Sequence, residues 1–514
     1  MPSSELVHLN SLSIGYDDSP LFDGLKLSLR RSEITSLVGA NGCGKSTILK
    51  IIQPNVRPAL ERAGLRINGT LSVQSNLTIG YLPQDLRSEW INDQPSERPP
   101  ADQKLIVKLA DQFGLDELNH PPEELSDGQR QKLAIIMTVS SDADLYLLDE
   151  PTNYLDIRGI MALEQTVGRL QDRGASILIV SHDRAMINQT ADQTTYLSPH
   201  GIYSTRGGFD DVWSLATGEV TARAKQATAI KRRIDKLQED IRRRNQWAAN
   251  KERTKIGAGS AKPSIAKQAA KMAQRSKATE KRSAREIDLL KETKPFVPKK
   301  LNLAFPPYEV RHRVAFSFED VVFAYPSASD QPNSPQLFDQ LSLSASTQDK
   351  LCLMGPNGTG KTTLIKLITG DLEPNSGTVT RHPSMKFTLL PQGLRGFYAP
   401  GSLLDNLASS GDQTTVRQFL GAALIRRQKV EQEVSTLSPG ELMRAALVKC
   451  ILEQAEFLIL DEPTSHLDIE SIHVLEELLN DFPGGYLMIS HDRSFVENTA
   501  SALYLLEDGA LTMA

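Results

Sequence analysis

Two short glycine-rich segments of the sequence have the residue types and spacing of a loop that binds phosphate. GANGCGKST begins at Gly39 and GPNGTGKTT begins at Gly355, and both match the pattern GxxGxGK[ST]. In such a loop the glycines let backbone N–H groups turn towards a triphosphate, the lysine reaches the β- and γ-phosphates, and the next hydroxyl ligates Mg²⁺. The predicted nucleotide-binding residues are Gly39, Asn41, Gly42, Gly44, Lys45, Ser46 and Thr47, and Gly355, Asn357, Gly358, Gly360, Lys361, Thr362 and Thr363.

An acidic pair ends an apolar run in each half of the chain, within the tetrapeptide DEPT. Asp149 and Asp461 come first, and an acid at this place is predicted to hold Mg²⁺ directly or through water. Glu150 and Glu462 follow, and each is predicted to polarise the attacking water as a general base. The alternative is a pair of acidic turn residues at strand ends, which the repetition of DEPT argues against.

Two further residue types recur beside these motifs. His182 and His491 each follow an apolar strand within SHDR, and they are predicted to contact the γ-phosphate and act as nucleotide sensors. Gln84 and Gln392, each within LPQ, are predicted to face Mg²⁺ and the attacking water by the same logic. A single histidine of this kind is usually an ordinary surface residue, so the prediction depends on the repetition.

The motifs together show that the chain contains a duplicated domain. Five features recur in one order at offsets between 308 and 316 residues: the glycine-rich segment, LPQ, an LSDGQ or LSPGE segment, DEPT and SHDR. Tyr16 and Tyr325 share this kind of offset and are predicted to stack on adenine, with core packing as the alternative. The predicted domains are residues 1–216 and 309–514, on either side of a linker at 217–308.

The elements that position the motifs are predicted to alternate between strands and helices. This alternation predicts an α/β fold with a largely parallel sheet in each copy. The predicted strands are Ser36–Val38, Tyr146–Leu148, Ile177–Val180, Leu351–Met354, Phe457–Leu460 and Leu487–Ile489, and the predicted helices that follow the glycine-rich loops are Ser46–Ile52 and Thr362–Ile368.

The linker between the copies is strongly basic. Residues 215–300 contain 24 Lys and Arg against 9 Asp and Glu, whereas the rest of the chain is acidic. Apolar residues at helical spacing predict helices over about 218–255 and 264–292, which would pair as an antiparallel hairpin. The charge favours a polyanionic partner, usually nucleic acid, although a solvated hairpin is an equal alternative. The candidate RNA contacts are Arg242, Arg243, Arg244, Lys251, Arg253, Lys255 and Lys262.

Composition narrows the class of protein. Hydrophobic residues form 39% of the 514 residues and charged residues 24%, as in globular domains. No apolar run approaches the roughly 18 residues of a membrane span, and we expect no membrane partner. The opening MPSSELVHLN predicts no secretory signal. Cys43, Cys352 and Cys450 show no paired or metal-binding spacing, so we expect a reducing, cytoplasmic location.

The whole set of motifs resembles the ATP-binding cassette (ABC) ATPases, twice over. The resemblance implies two P-loop ATPase domains, ATP and Mg²⁺ as ligands, and ATP hydrolysis. It also implies that the two cassettes of one chain face each other head to tail, each ATP lying between one glycine-rich loop and the opposite LSDGQ or LSPGE segment. The signature residues that the resemblance assigns to ATP are Ser126 and Gly128 in the first copy and Ser438 and Gly440 in the second.

A narrower resemblance is to the ABC-F subfamily, which carries a helical linker of this size between two cassettes and a DEPTNHLD segment. Here the segments are DEPTNYLD and DEPTSHLD. The resemblance implies a monomer that binds the ribosome, with the linker directed at rRNA and the P-site tRNA. LSDGQ and LSPGE depart from the usual LSGGQ, and we expect Asp127 to place an anion beside one γ-phosphate, weakening ATP binding or slowing closure there.

Several functions remain open at this stage. Within the leading one, the chain is either a housekeeping translation factor or an antibiotic-resistance factor that displaces drugs from the ribosome. A second class is the ATPase subunit of a transporter, which would need a separate membrane protein. A third is a DNA-repair or chromosome ATPase, but those carry zinc modules or very long coiled coils, which this sequence does not predict.

Overall fold

The chain folds into two compact units. The computed structural model describes residues 5–16, 19–86, 103–115, 121, 124–255, 263–297, 303, 305, 313–326, 336–394 and 396–513, with the backbone alone for 19, 247–255, 263–273 and 275–277. One unit contains Met1–Val212 together with Leu301–Ala514, which are the two repeated copies. The other is Trp213–Lys300.

The first copy is a mixed α/β domain built on two sheets. Its strands are β1 (Glu5–Tyr16), β2 (Ser19–Arg30), β3 (Ile34–Gly39), β4 (Leu65–Val73), β5 (Ile79–Leu82), β6 (Leu145–Asp149), β7 (Ser176–Val180), β8 (Gln193–Ser198) and β9 (Gly201–Arg206). Its helices are α1 (Lys45–Ile52), α2 (Arg57–Arg62), α3 (Gln103–Phe113), α4 (Asp127–Val139), α5 (Ile157–Asp172) and α6 (Arg184–Thr190).

A six-stranded sheet in the order β5-β6-β7-β3-β8-β9 forms the centre of this copy. Strands β3, β6 and β7 are buried along their whole length, which explains their nearly continuous apolar sequences. All neighbours run parallel except β8 and β9, which form an antiparallel hairpin at the edge. The parallel arrangement brings the carboxyl ends of β3, β6 and β7, and the motifs that follow them, to one edge of the sheet.

The basic unit continues the chain as two long helices, α7 (Phe209–Lys255) and α8 (Pro263–Glu292). Ile234, Leu237 and Ile287 form a small buried cluster between them, and Arg233 pairs with Glu286 at 2.8 Å. The predicted hairpin is therefore present. Its first helix begins nine residues earlier than the sequence pattern indicates. Pro263 is the first residue of the second helix, a position where its missing N–H costs no hydrogen bond.

The second copy repeats the strand order of the first, but its described helices differ in two places: α2 has no counterpart, and two helices precede the one that follows the LSPGE segment. Its strands are β10 (Val314–Phe323), β11 (Phe338–Ser346), β12 (Lys350–Met354), β13 (Ser376–Arg381), β14 (Phe387–Leu390), β15 (Phe457–Asp461), β16 (Gly485–Ile489), β17 (Ala502–Glu507) and β18 (Ala510–Met513). Its helices are α9 (Lys361–Thr369), α10 (Leu403–Asn406), α11 (Gln413–Ala422), α12 (Pro439–Leu452), α13 (Ile469–Asp481) and α14 (Arg493–Thr499). Its central sheet has the matching order β14-β15-β16-β12-β17-β18.

Each copy also has a three-stranded antiparallel sheet that the sequence analysis missed, in the orders β2-β1-β4 and β11-β10-β13. Apolar and polar residues alternate along β11, whose burial alternates with them, so one face of this sheet covers the core. The predicted parallel strands and P-loop helices all occur, each within two residues of its predicted ends. The α/β fold with a duplicated cassette and a basic helical hairpin is confirmed.

Candidate functional site

The glycine-rich loops lie where β3 and β12 end and α1 and α9 begin. Gly44 and Gly360 cap these helices with φ angles of 98° and 100°, a left-handed conformation that favours glycine. Gly39 has a different reason for its identity, because a Cβ atom there would lie 2.5 Å from the Leu197 carbonyl oxygen. The loops therefore present backbone N–H groups at a helix N-terminus, which is a favourable place for phosphate.

The two lysines of the loops are buried and fold back over their own loops. Lys45 donates from Nζ to the Gly39 carbonyl oxygen at 2.8 Å, and Lys361 donates to that of Gly355 at 2.7 Å. Lys45 Nζ also lies 3.3 Å from Nε2 of His182. A triphosphate has only to compete with neutral carbonyl groups for each ammonium, so these side chains are preorganised to meet its charge.

The predicted general bases lie in a strained backbone conformation directly after β6 and β15. Glu150 and Glu462 have φ angles of 50° and 48°, a region that residues other than glycine rarely occupy. Oε1 of Glu150 lies 3.1 Å from His182 Nε2, and Oε1 of Glu462 lies 3.4 Å from His491 Nε2. The structure thus brings each predicted base next to the predicted sensor of the same copy.

Burial changes the protonation of these groups. It raises the pKa of Glu150 and of Glu462 to about 8, although the nearby loop lysines oppose the rise. It lowers the pKa of His182 to about 3 and of His491 to about 4, so both imidazoles are neutral at physiological pH. The raised pKa of each glutamate and the lowered pKa of each histidine have the same physical cause, which is the loss of water around the pair.

Oxygen atoms suited to Mg²⁺ meet in the first copy. Oγ of Ser46 lies 3.4 Å from Oε1 of Gln84, and the buried Asp149 ends the neighbouring strand β6. Hydroxyl, amide and carboxylate oxygens are the hard ligands that Mg²⁺ prefers. The corresponding residues of the second copy, Thr362, Gln392 and Asp461, line the same cavity as the first set.

One cavity of about 1250 Å³ is lined by both copies. Its wall includes both loop lysines and both DEPT segments, with Gly128 from the first LSDGQ segment and Pro439 from the second LSPGE segment. A Cβ atom at Gly128 would lie 3.7 Å from the Asn357 side chain of the other copy. Asn41 in turn donates to the His466 carbonyl oxygen at 3.0 Å. The loop of each copy therefore faces the opposite copy, which is the head-to-tail arrangement.

The signature serines are engaged within their own helices. Ser126 and Ser438 are the N-caps of α4 and α12, each in a reciprocal capping box with the residue three positions on. Gly440 has no room for a side chain, because a Cβ atom would lie 2.3 Å from Ser471 Oγ. Contact of these serines with a γ-phosphate stays a prediction.

Asp127 has a charged neighbour that the sequence analysis did not take into account. Its carboxylate is half exposed and lies 2.6 Å from Nη1 of the buried Arg130, one helical turn further along α4. Arg130 also donates to the Leu125 carbonyl oxygen at 2.7 Å. The anion expected beside a γ-phosphate is therefore compensated by a guanidinium, which weakens its predicted effect on ATP.

The predicted adenine contacts are accessible side chains at the cavity. Tyr16 and Tyr325 both line it, with exposed fractions of 39% and 47%. Tyr325 also forms a hydrogen bond of 3.0 Å with Thr363 Oγ1, which fixes the ring beside the second loop. Core packing, the alternative for these tyrosines, does not account for side chains this exposed.

The candidate RNA contacts are only partly within the described residues. Arg242, Arg243 and Arg244 lie in α7 with exposed side chains, and Arg243 pairs with Glu239 at 2.7 Å. The other four candidates lie outside what the structure describes, either entirely or in their side chains: Lys251, Arg253, Lys255 and Lys262.

The sequence analysis missed a set of charged residues between the copies. Arg184 and Arg493, the last residues of the two SHDR segments, pair with Glu476 and Glu164 of the opposite copy. The repetition of SHDR was visible in the sequence, but the partners are acidic residues on helices that carry no motif. Only the paired structure brings these residues together.

Comparison with known proteins gives the relationship of the chain. The family described as ABC transporter matches residues 22–153 and 338–465, just over half of the chain. The ATP-binding protein Uup of Caulobacter vibrioides is 29% identical over 508 residues, which cover 95% of this chain and 75% of the relative. The ribosome protection protein VmlR of Bacillus subtilis is 25% identical over 99% of this chain and 88% of its own.

A solved structure supports the same fold. The structure titled RNase-L Inhibitor is similar with a TM-score of 0.59 and 19% identity, covering 98% of this chain and 90% of its own. Among the residues described here, no helix combines the length and apolar character needed to cross a bilayer. Uup and VmlR are both ABC-F proteins. The chain therefore belongs to the ATP-binding cassette family, as an ATP-hydrolysing member of its ABC-F subfamily.

Proposed function

We propose that this protein binds the ribosome and uses ATP binding and hydrolysis to modulate translation. The observation that carries the proposal is the basic helical hairpin between two acidic cassettes. Residues 215–300 carry 24 basic and 9 acidic side chains, and Arg242, Arg243 and Arg244 are exposed on α7. Exposed arginines on a helix are suited to rRNA and tRNA phosphates, which they contact without reading sequence.

The relatives support the same partner. VmlR, which aligns over nearly the whole chain, is a ribosome protection protein by name. This relationship favours a narrower second proposal, that the chain protects ribosomes from an antibiotic. Drug susceptibility of cells that lack or overproduce the protein tests it: a changed inhibitory concentration for a ribosome-targeting drug supports protection, and unchanged values for all such drugs leave the housekeeping role.

Glu150 and Glu462 are proposed as the general bases of the two ATP sites. Each has to lose its proton to accept one from water, and the approach of its predicted sensor, His182 or His491, orients the carboxyl group. Lys45 and Lys361 bind the β- and γ-phosphates, and the tyrosines at the cavity stack on adenine. Ser126, Gly128, Ser438 and Gly440 complete the sites from the opposite cassettes.

Each site is also proposed to take one Mg²⁺ with its ATP. Ser46, Gln84 and Asp149 would hold the ion at the first site, and Thr362, Gln392 and Asp461 at the second. The ion would neutralise charge on the phosphates as the terminal bond breaks.

The molecule is proposed to act in the cytoplasm as a monomer, because one chain supplies both cassettes of the pair. The functional domains are proposed to be the cassettes at 1–216 and 309–514 and the linker at 217–308. The compact units of the structure divide slightly differently, after Val212 and after Lys300.

Ribosome pelleting with a hydrolysis-deficient variant tests the main proposal. Glu150→Gln with Glu462→Gln keeps the size of each side chain but removes the proton acceptor, so turnover should fall by at least about 10²-fold. With ATP, the double variant should sediment with ribosomes more tightly than the parent protein. Sedimentation with membranes instead would favour a transporter subunit, and near-normal turnover would overturn the roles of the two glutamates.

A further inference from the structure

Six charged residues connect the two switch-histidine loops across the contact between the cassettes. We define the switch-loop ion pairs as two sets of three residues. The first set is Arg184 with Glu476 and Asp492, and the second is Arg493 with Glu164 and Asp183. Each set takes its arginine from one cassette and its two acids from the other.

The first set is deeply buried. The side chain of Arg184 is 3% exposed, and its Nη2 lies 2.5 Å from Oε1 of Glu476 and 3.8 Å from Oδ1 of Asp492. Glu476 also contacts His473 at 3.0 Å and accepts a hydrogen bond from Asn498 at 3.1 Å. These hydrogen bonds overcome the effect of burial and lower the pKa of Glu476 to about 2, so this carboxylate is ionised throughout the physiological range.

The second set repeats the arrangement with the cassettes exchanged. Arg493 makes a short ion pair with Glu164, and its Nη2 lies 4.0 Å from Oδ1 of Asp183. Among the described residues, Arg493 is the ion-pair partner of Glu164. Met161 stands here at the position of His473 in the other cassette, so the second set is the simpler one.

Both arginines and two of the four acids, Asp183 and Asp492, belong to the loops that carry the predicted sensors, whereas Glu164 and Glu476 lie on α5 and α13. Asp183 caps α6 through the Met186 N–H, and Asp492 caps α14 through the Phe495 N–H. Each arginine is the next residue and lies two positions after its histidine. A shift of one histidine therefore also moves the aspartate and the arginine that follow it in the chain. The charges of these two residues are in contact with the opposite loop.

Because these ion pairs are largely buried, they are stable only in a narrow range of geometries. An ionised pair removed from water is stable only when its geometry is good and its remaining hydrogen-bonding groups are satisfied. The arrangement consequently favours one relative placement of the two loops. A pair of exposed charges at the same interface would tolerate many placements, because solvent would screen them.

We propose that Arg184 and Arg493 are positioning residues for ATP hydrolysis. Through the switch-loop ion pairs they set each switch histidine from the opposite cassette, so that the state of one ATP site governs the geometry of the other. The inference rests on the proposed contact of His182 and His491 with the γ-phosphates. It does not depend on ribosome binding, since it concerns the ATPase of the protein alone.

The first test measures steady-state ATP hydrolysis and nucleotide affinity separately. Arg184→Ala and Arg493→Ala should each lower kcat by about tenfold to a hundredfold, the scale expected when a reacting group is misplaced. Affinity for a fluorescent ATP analogue should change by less than about threefold, because the described ion pairs of both arginines are with acids of the opposite cassette and not with the glycine-rich loops. The cooperativity of the hydrolysis rate with respect to ATP concentration should also decrease. A purely structural role of the arginines would not predict this decrease.

The matched control is Arg158→Ala. Arg158 also crosses between the cassettes, pairing with Glu507 at 3.0 Å, but its side chain is 66% exposed and it lies on no switch loop. We expect its kcat to stay within about twofold of the parent value, as for most exposed ion pairs. An equal loss of kcat in Arg158→Ala would show that any weakened interface slows hydrolysis and would overturn the specific role.

A charge exchange in the second set provides the decisive comparison. Arg493→Glu alone should lose activity, and combining it with Glu164→Arg should restore at least half of the lost activity on a logarithmic scale. Thermal unfolding of every variant identifies any that fail to fold. Failure of rescue in a folded double variant overturns the proposal. A different result is that the charge exchange restores activity but His182→Ala leaves hydrolysis unchanged. In that case the assignment of His182 and His491 as nucleotide sensors is wrong, and the ion pairs affect hydrolysis by another route.

Discussion

Glu150 and Glu462 combine two unfavourable features that a structural role would not need. Glu150 is buried and Glu462 is only 17% exposed, which raises the pKa of each carboxyl group, and both have positive φ angles. A strained backbone conformation of this kind persists only where the surrounding structure holds the residue in place. Such conformations are concentrated at functional sites. The conformation directs each carboxyl group at the histidine of its own copy rather than along the strand.

The raised pKa predicts the pH dependence of hydrolysis. A general base has to be ionised, so kcat/KM for ATP should rise with pH, by about tenfold per pH unit below the pKa for one controlling group, and level off above pH 8. Initial rates between pH 6 and 9 at constant ionic strength give this profile. A flat profile across that range would show that the free enzyme already holds ionised glutamates.

The same groups link pH to stability in the absence of nucleotide. The folded protein holds a proton on each glutamate up to about pH 8, whereas the unfolded chain releases it near the ordinary value of 4.5. Between pH 4.5 and about pH 8, folding therefore takes up protons. The free energy of unfolding should consequently fall as the pH rises through this range. In Glu150→Gln with Glu462→Gln, melting temperature should exceed that of the parent by a margin that grows from pH 5 to pH 8. A constant margin would contradict the raised pKa.

Asp127 is predicted to affect stability more than ATP binding. Asp127→Gly removes a carboxylate 2.6 Å from the buried Arg130 and places a glycine in the first turn of α4. Because the acid is half exposed, the loss of folding free energy should be about 1 kcal/mol. Calorimetry and ATP affinity measure the two effects, with Pro439→Gly at the matching position of the second cassette as the control. A clear gain in ATP affinity for Asp127→Gly alone would restore the original electrostatic expectation.

At the scale of elements, the described part of the hairpin is held together by a small apolar cluster. Ile234, Leu237 and Ile287 are its buried cluster, with Ile230, Ile241 and Leu290 packed beside them. Most of the remaining described surface of α7 is exposed and polar. The described part of α7 therefore presents mainly polar and charged side chains, and we expect the contribution of the hairpin to binding to be mainly electrostatic.

Removing three charges from the distal part of α7 should change how salt affects ribosome binding. Arg242, Arg243 and Arg244 changed together to Ala should reduce the slope of log affinity against log salt by about 2 to 3, since each lost phosphate contact releases one fewer counterion. Lys251, Arg253 and Lys255 changed together to Ala should act in the same way. Basal ATPase should be unaffected, because these residues belong to no nucleotide motif.

The matched control removes three charges from an earlier part of the same helix. Lys225, Lys231 and Arg232 are exposed on α7, and their replacement by Ala lowers the net charge equally. A smaller effect of this control would locate the RNA contact in the distal part. An unchanged slope in all three variants would mean that the hairpin is a solvated spacer.

Elements that have one clear sequence pattern, such as a continuous apolar run, were predicted well from the sequence. Strands buried on both faces have nearly continuous apolar runs, and β6 and β15 were found within one residue of each end. The antiparallel sheets were missed because a half-buried strand such as β1 contains irregular pairing that interrupts its alternation. Local periodicity cannot show which strands pair when bulges shift the register.

At the scale of the whole molecule, the contacts between cassettes lie within one chain. Arg158 with Glu507, Tyr196 with Glu470, and the switch-loop ion pairs all join the first cassette to the second. The resemblance to the ABC ATPases, and not the motifs by themselves, implied which loops would face each other. The motifs did not predict these pairs, because an acid on α5 or α13 carries no local sign of its partner about 300 residues away.

Internal pairing predicts that ATP does not cause association between molecules. Light scattering of the double variant Glu150→Gln with Glu462→Gln should give about 56.7 kDa with and without ATP. A homodimeric cassette protein would instead double its mass when closed around nucleotide. Doubling here would show that cassettes of different chains pair, and would contradict the head-to-tail arrangement within one chain.

The contact between Tyr154 and His466 has a consequence for how such a protein evolves. These residues occupy matching positions of the two DEPT segments, both with positive φ, and their rings meet edge to face with centroids 6.4 Å apart. In a symmetric homodimer, any substitution at this position would appear twice, and a tyrosine could face only a tyrosine. Two copies on one chain are free of that restriction, so selection acts on each side of the contact independently. A lineage can therefore retain one rapid site and slow the other by single substitutions, giving the pair a built-in order of events.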